Sequence, residues 1–140
     1  MTDKTIFGAS AEIIGKGIAR LLEQINQYTD KMKVLVISPI YLGEKVWQDG
    51  YDQEFSPESV EVSKKLELVY EKVAGKYGKR FMRAADYASP SEADQEHMDG
   101  QSHKILADAI YRKIRSRDFV RKVSKNPLVS QWYVLFTGVP

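Results

Sequence analysis

Cysteine is absent from the 140-residue sequence, which excludes disulfides, thiolate metal ligands, iron–sulfur clusters and a cysteine nucleophile. Long apolar runs are missing too. The run at residues 34–37 is far shorter than the roughly 20 residues a membrane-spanning helix needs, and the polar start at Thr2 and Asp3 lacks the form of a secretory signal. A cytoplasmic chain with no membrane partner is therefore expected. Net charge is small: 21 Lys and Arg stand against 19 Asp and Glu, leaving +2, which does not call for a nucleic-acid partner. Glycine-rich phosphate loops, internal repeats and low-complexity stretches are absent. With two histidines in the chain, His97 and His103, any imidazole chemistry rests on one of them.

What remains is ordinary globular material. Apolar residues make up 43% and charged residues 29%, enough for a single hydrophobic core in one domain. Over residues 9–28, Ile13, Ile14, Ile18, Leu21, Leu22 and Ile25 recur at helical spacing and predict an amphipathic helix. Residues 33–37 form a compact β-branched run closed by Ser38 and Pro39, which suits a buried strand of a parallel sheet. Ser56, Pro57 and Glu58 supply an N-cap, a proline at the first helical position and a carboxylate in the first turn. The helix they start carries Val62, Leu66, Val69, Val73 and Tyr77 on one face and ends at Gly78. A short strand is expected over residues 80–84. A third helix follows, with Ile105, Leu106, Ala109, Ile110 and Ile114 inward, to about Arg117.

Helix, strand, helix, strand, helix is the rhythm of a doubly wound α/β sheet. Two strands offer too little surface for three amphipathic helices, so the sheet reads as short of strands at its N-terminal side. Residues 118–140 break the pattern, though residues 129–136 are rich in aromatic and β-branched types and fit an edge strand. Between the first strand and second helix, residues 40–55 lack any period and display Tyr41, Trp47, Tyr51 and Phe55. A loop in that position follows the carboxyl end of a strand, where open α/β sheets bind ligands. Its aromatics either wall a pocket, with Tyr41 and Trp47 foremost as substrate-binding residues, or cover the core.

Asp94 precedes His97 by three residues in a loop. In a hydrolytic triad the histidine takes the nucleophile's proton while a carboxylate fixes its tautomer, and a tight turn can place this pair for that role. Asp94 and His97 are the candidate catalytic residues, although from spacing alone a solvated surface pair is the plainer account. His103, at the start of the last helix, reads as a surface or capping group. A metal site drawn from Asp94, His97, Asp99 and His103 matches no zinc spacing, so neither metal nor cofactor is expected.

The stretch KVLVISPIYLG at residues 33–43, the helix ending VYEKVA at 69–74, Phe81 in a short strand, and DQEHMD at 94–99 leading into HKILADAI at 103–110 together resemble the arylesterase-like branch of the SGNH (GDSL-type) hydrolases. Lys4 to Phe7, with Ser10 and the helix after it, resemble the segment following that family's Gly-x-Asn-Asp block. The resemblance covers residues 4 to about 115, the C-terminal half of such an enzyme. It implies a truncated, flavodoxin-like three-layer α/β/α fold with a parallel sheet whose N-terminal strands are missing. Its Asp-x-x-His block implies that Asp94 orients and His97 acts as general base. Family members read Asp-Gly-apolar-His there, whereas Gln95 and Glu96 stand between the pair here: Gln95 strains a turn that glycine would relax, and Glu96 adds negative charge beside His97.

The family's nucleophile, a serine in a Gly-Asp-Ser block, has no counterpart in this sequence, and its asparagine would fall at or before Met1. Ser10 and Ser38 read as structural. Two expectations follow: a metal-free ester hydrolase or acyltransferase acting on a small-molecule ester, of which this chain is the acid–base half lacking its N-terminal partner half, or a non-catalytic module that self-associates as a homo-oligomer through an open sheet edge. The basic group Arg112, Lys113, Arg115, Arg117, Arg121 and Lys122 gives a fainter nucleic-acid reading, against which a solvated helix end is the plainer account.

Overall fold

The computed structural model describes residues 8–29, 31–116 and 132–136. In chain order these form α1 (Ala11–Tyr28), β1 (Lys33–Ser38), α2 (Pro57–Lys76), β2 (Arg80–Arg83), a single 3₁₀ turn (Ala84–Asp86), α3 (Gly100–Arg115) and β3 (Trp132–Phe136). The opening residues 4–7 and most of the 118–140 extension lie outside the described residues.

Local chemistry sets the helix ends. Ser10 caps α1 through its side chain, which accepts from the Ile13 amide. Ser56 caps α2 in a reciprocal box with Ser59, and Pro57 takes the first helical position. At the other end of α2, Gly78 adopts φ +63°. Lys79 N–H then bonds back to Ala74 O (2.8 Å) and Gly78 N–H to Gly75 O (3.1 Å), the glycine-terminated ending expected where left-handed backbone is needed.

The sheet is parallel throughout, in the order β2-β1-β3. β1 is central, with Ile37 opposite Met82 of β2 and Phe136 of β3. Its apolar run has no polar alternation because both faces are covered. Val34 and Val36 join the core formed with Ile18 and Leu22 of α1 and Leu66, Tyr70 and Ala74 of α2. Leu35 and Ile37 join the opposite core with Met82, Leu106 and Ala109. Successive strand residues point to opposite faces, so one six-residue strand anchors both cores. Each fully buried leucine here contributes about 1.5–3 kcal/mol of transfer free energy. The third strand lies on the side of β1 away from β2 and supplies sheet surface that residues 33–37 and 80–84 alone do not. β2 closes at Arg83, one residue early, because Ala84 enters the 3₁₀ turn.

The helix faces depart from the hydrophobic pattern in two places. α1 buries Ala11, Gly15, Ile18 and Leu22, leaving Ile13 57% and Leu21 40% exposed. The buried face includes a close approach to α2: a Cβ at Gly15 would sit 2.2 Å from Val69 Cγ1, so small Ala11 and Gly15 share that face with Ile18 and Leu22. In α3, Leu106 and Ala109 are buried and Ile110 and Ile114 pack beside them, but Ile105 faces outward. On α2 the expected Val62, Val69, Val73 and Tyr77 pack against the core beside a more deeply buried line of Val60, Ser63, Leu66, Tyr70 and Ala74.

Candidate active site

The two loops that leave the carboxyl ends of β1 and β2 meet at one edge of the sheet. The second loop contains a closed turn at residues 91–97. Ser91 N–H donates to His97 O (2.7 Å) and Gln95 N–H to Ser91 O (2.9 Å). Inside it, Asp94 Oδ1 accepts from the amides of Glu96 and His97 and from Ser91 Oγ, each at 3.0 Å. Asp94 Oδ2 is left for the ring of His97, whose Nδ1 lies 2.9 Å away.

The electrostatics follow from those contacts. The backbone amides of Glu96 and His97, with the side chains of His97 and Ser91, hold the Asp94 carboxyl far below the usual carboxylate range. His97 is raised above the ordinary imidazole value, first by its hydrogen bond to Asp94 and then by the charge of Glu96, whose Oε2 is 3.9 Å from Nδ1. A carboxylate fixed at Nδ1 sets the neutral tautomer with its proton on that nitrogen, so the basic lone pair is at Nε2. The ring is 73% exposed, which makes Nε2 accessible to a reacting group. Chemically, such an arrangement can serve as an oriented general base.

Gln95 occupies the left-handed region at φ +63°, the strain expected of a residue standing where glycine would relax the turn. Its side chain is buried, at 5% exposure, and its carbonyl accepts from Gly43 N–H at 2.7 Å. Gly43 belongs to the loop after β1 and joins it to the Asp94–His97 turn.

Tyr41 donates its hydroxyl to Glu67 on α2, a bond that raises the phenol's pKa. Arg83 approaches Glu67 at 3.8 Å and Glu71 at 2.9 Å, so Tyr41 ties its loop to α2 and the end of β2. Trp47 lies further along the loop and is exposed. His103 sits on the first turn of α3, its amide bonded to Asp99 O, while Asp99 caps that helix by accepting from Ser102 N–H at 2.7 Å. Sequence reasoning missed this cap and the Ser91 brace on Asp94, although the spacings Asp99-x-x-Ser102 and Ser91-x-x-Asp94 carry both.

Among the described residues no three His, Asp or Glu side chains converge as metal ligands, so Asp94, His97, Asp99 and His103 do not form one cluster. No serine hydroxyl among the described residues bonds to His97. Ser91 is turned to Asp94, Ser10 caps α1, and Ser38 is buried at the end of β1. Arg112, Lys113 and Arg115 occupy the last turn of α3, where cations complement the helix dipole; Arg117, Arg121 and Lys122 lie outside the described residues. An open groove of about 430 Å³ lies nearby, bordered by Tyr87, Ser89, Asp99, Ser102 and Ile105, with neither Asp94 nor His97 in its wall. Among the described residues no helix is long and apolar enough to cross a membrane.

No family model matches the chain, and no curated protein does. Solved structures do. One is 29% identical with a TM-score of 0.73, over 79% of this chain and 52% of its own. A carbohydrate acetylesterase from Sinorhizobium meliloti is 24% identical with a TM-score of 0.67, over 79% of this chain and 54% of its own. An aryl esterase from M. smegmatis is 20% identical with a TM-score of 0.63, over 78% and 53%. The chain thus spans about half the length of the solved proteins it matches, and over that span it shares their α/β fold, with a small parallel sheet.

Proposed function

We propose that this chain is the acid–base half of an SGNH-type ester hydrolase acting through a serine, with Asp94 and His97 as its orienting acid and general base. The observation that carries the reading is the 2.9 Å contact between Asp94 Oδ2 and His97 Nδ1 on an exposed turn, at the carboxyl edge of a parallel sheet where such folds bind ligands. His97 Nε2 takes the proton of a serine hydroxyl as its oxygen attacks the ester carbonyl carbon, and returns that proton to the departing alkoxide. Nε2 then deprotonates a water that attacks the acyl-enzyme, releasing the acid and restoring the serine. The serine and oxyanion donors belong to a partner half, in keeping with the share of its structural neighbours that this chain spans. Tyr41 and Trp47 stand on the loop that would border the ester, Tyr41 fixed by Glu67 and Trp47 partly exposed at 39%.

The test is intact-mass analysis after exposure to a fluorophosphonate. The expected result is no adduct on the folded chain alone, and a single adduct, lost in His97→Ala, when the chain is fused behind the N-terminal half of the S. meliloti acetylesterase. A folded fusion that stays unlabelled sinks the proposal. An adduct on the chain alone that depends on His97 would place the nucleophile within these 140 residues instead.

A second reading has one observation in its favour. Among the described residues β3 pairs with β1 alone, which leaves its outer edge open, and such an edge is an association site. Self-association through that edge predicts a dimer in sedimentation whose oligomeric state changes when residues 118–140 are deleted, and that His97→Ala leaves untouched.

A further inference from the structure

We infer that Gly43 and Gln95 form an interlocking joint that positions the Asp94–His97 pair, making the loop after β1 the element that sets the turn's geometry. The turn's internal hydrogen bonds hold its residues to one another; Met98, just after it, packs against the second core, and within the turn Gln95 makes the link to the loop after β1. There the backbone is left-handed, which turns the Gln95 carbonyl onto Gly43 N–H at 2.7 Å. The Gln95 side chain covers the same glycine. A Cβ at Gly43 would lie 2.3 Å from Gln95 Oε1, 2.7 Å from its Cβ and 2.8 Å from its Cδ. The far amide oxygen could swing aside, but the Cβ could move only with the Gln95 backbone, and with it the amides and carboxylate on either side.

Gly43 is itself held from the other direction. Leu42 N–H donates to the Ser63 hydroxyl (3.0 Å), which donates in turn to Val60 O (2.7 Å), and Tyr41 is bonded to Glu67. Three consecutive residues, 41–43, are thereby fastened to α2 on one side and to the base-carrying turn on the other. Gln95 accepts left-handed strain and is kept there by burial, by the Gly43 amide and by its side-chain amide nitrogen donating to Glu92 Oε2 (3.2 Å). Gly43 and Gln95 are positioning residues: neither touches the reacting atoms, and each acts through Asp94 and His97.

The functional meaning rests on the proposed role of His97 as a base, but the test does not. His97 is titrated by NMR in the protein alone, with no ester and no second half. The charged groups acting on its ring are Asp94 and Glu96. Gly43→Ala is expected to displace Gln95, loosen the Asp94 contact and bring the His97 titration down towards the ordinary imidazole value. Gly43→Ala combined with Gln95→Gly is expected to restore the wild-type titration, because glycine at 95 removes the three atoms nearest the new methyl group and accepts the positive φ. A folded Gly43→Ala with unchanged titration overturns the inference, as does a double variant that titrates like Gly43→Ala. Should Gly43→Ala not fold, recovery of folding in the double variant supports the joint and its failure to recover refutes it. A fusion that fails to label with fluorophosphonate while these titrations behave as expected removes the hydrolase reading and leaves the joint standing.

Discussion

Gly15 of α1 and Val69 of α2 approach so closely that a methyl group on the glycine would lie 2.2 Å from Val69 Cγ1. Overpacking of this kind costs about 1–3 kcal/mol. Gly15→Ala should lower the urea midpoint accordingly, and Val69→Ala in the same chain should recover part of the loss. The check is a double-mutant cycle in urea; strictly additive losses would mean that the two helices do not meet there.

Asp94→Asn keeps an acceptor for the amides of Glu96 and His97 but removes the negative charge from the ring. Because the turn is exposed, the stability loss should be small, about 1 kcal/mol or less. The base should suffer far more: an amide nitrogen facing Nδ1 favours the tautomer with its proton on Nε2. In the fused protein ester hydrolysis should fall roughly 10⁴-fold, measured as kcat with thermal unfolding as the control.

The same pair sets a pH profile. Asp94 is lowered in the folded chain, so its contribution is fully present above the ordinary carboxylate value of about 3.9 and is lost as pH falls through its folded value. His97 is raised, so its contribution is fully present below about 6.5 and is lost as pH rises through its folded value. Stability from the pair is therefore greatest between about pH 4 and 6.5. General-base activity runs the other way, increasing as His97 loses its proton above that window. The gap in thermal midpoint between wild type and His97→Ala should be widest below about pH 6.5 and should close as pH rises towards about 9.

Ser38 is completely buried at the end of β1, and its hydroxyl finds no hydrogen-bond partner among the described residues. A buried, unsatisfied hydroxyl costs about 1–3 kcal/mol. Ser38→Ala should therefore raise the urea midpoint, with no change in slope. A drop of about 1 kcal/mol or more would show that the hydroxyl has a partner.

Features whose cause lies within a few residues were legible in the sequence. Ser56, Pro57 and Glu58 announced the start of α2, Gly78 its end, and the unbroken run from Val34 to Ile37 the doubly covered strand. The Asp94 to His97 spacing announced a turn that could join them, and the structure brings the two together. What was not legible depends on distant partners. Ile13 and Leu21 are as apolar as Ile18, and the face that is buried, which carries Gly15 against Val69, shows only once α1 and α2 are seen together. Gln95 could be recognised as a strained replacement for glycine, but that Gly43 accommodates it required the two loops to be seen together. Tyr41 belonged to a loop suited to ligands; its bond to Glu67 arises from packing between elements far apart in the chain.

The pairing of β1 with β3 has a consequence for how the chain is made. Lys33 to Ile37 find their partners at Trp132 to Phe136, close to opposite ends of the described chain. On the ribosome β1, α2 and β2 would leave the exit tunnel well before residues 132–136, so one flank of the central strand would wait uncovered through most of synthesis. Closing so long a loop adds only a slowly growing entropic cost, but contacts of such separation form late and slow the search. The nascent chain would thus pass through a period in which β1 can be captured by a chaperone or by the wrong strand.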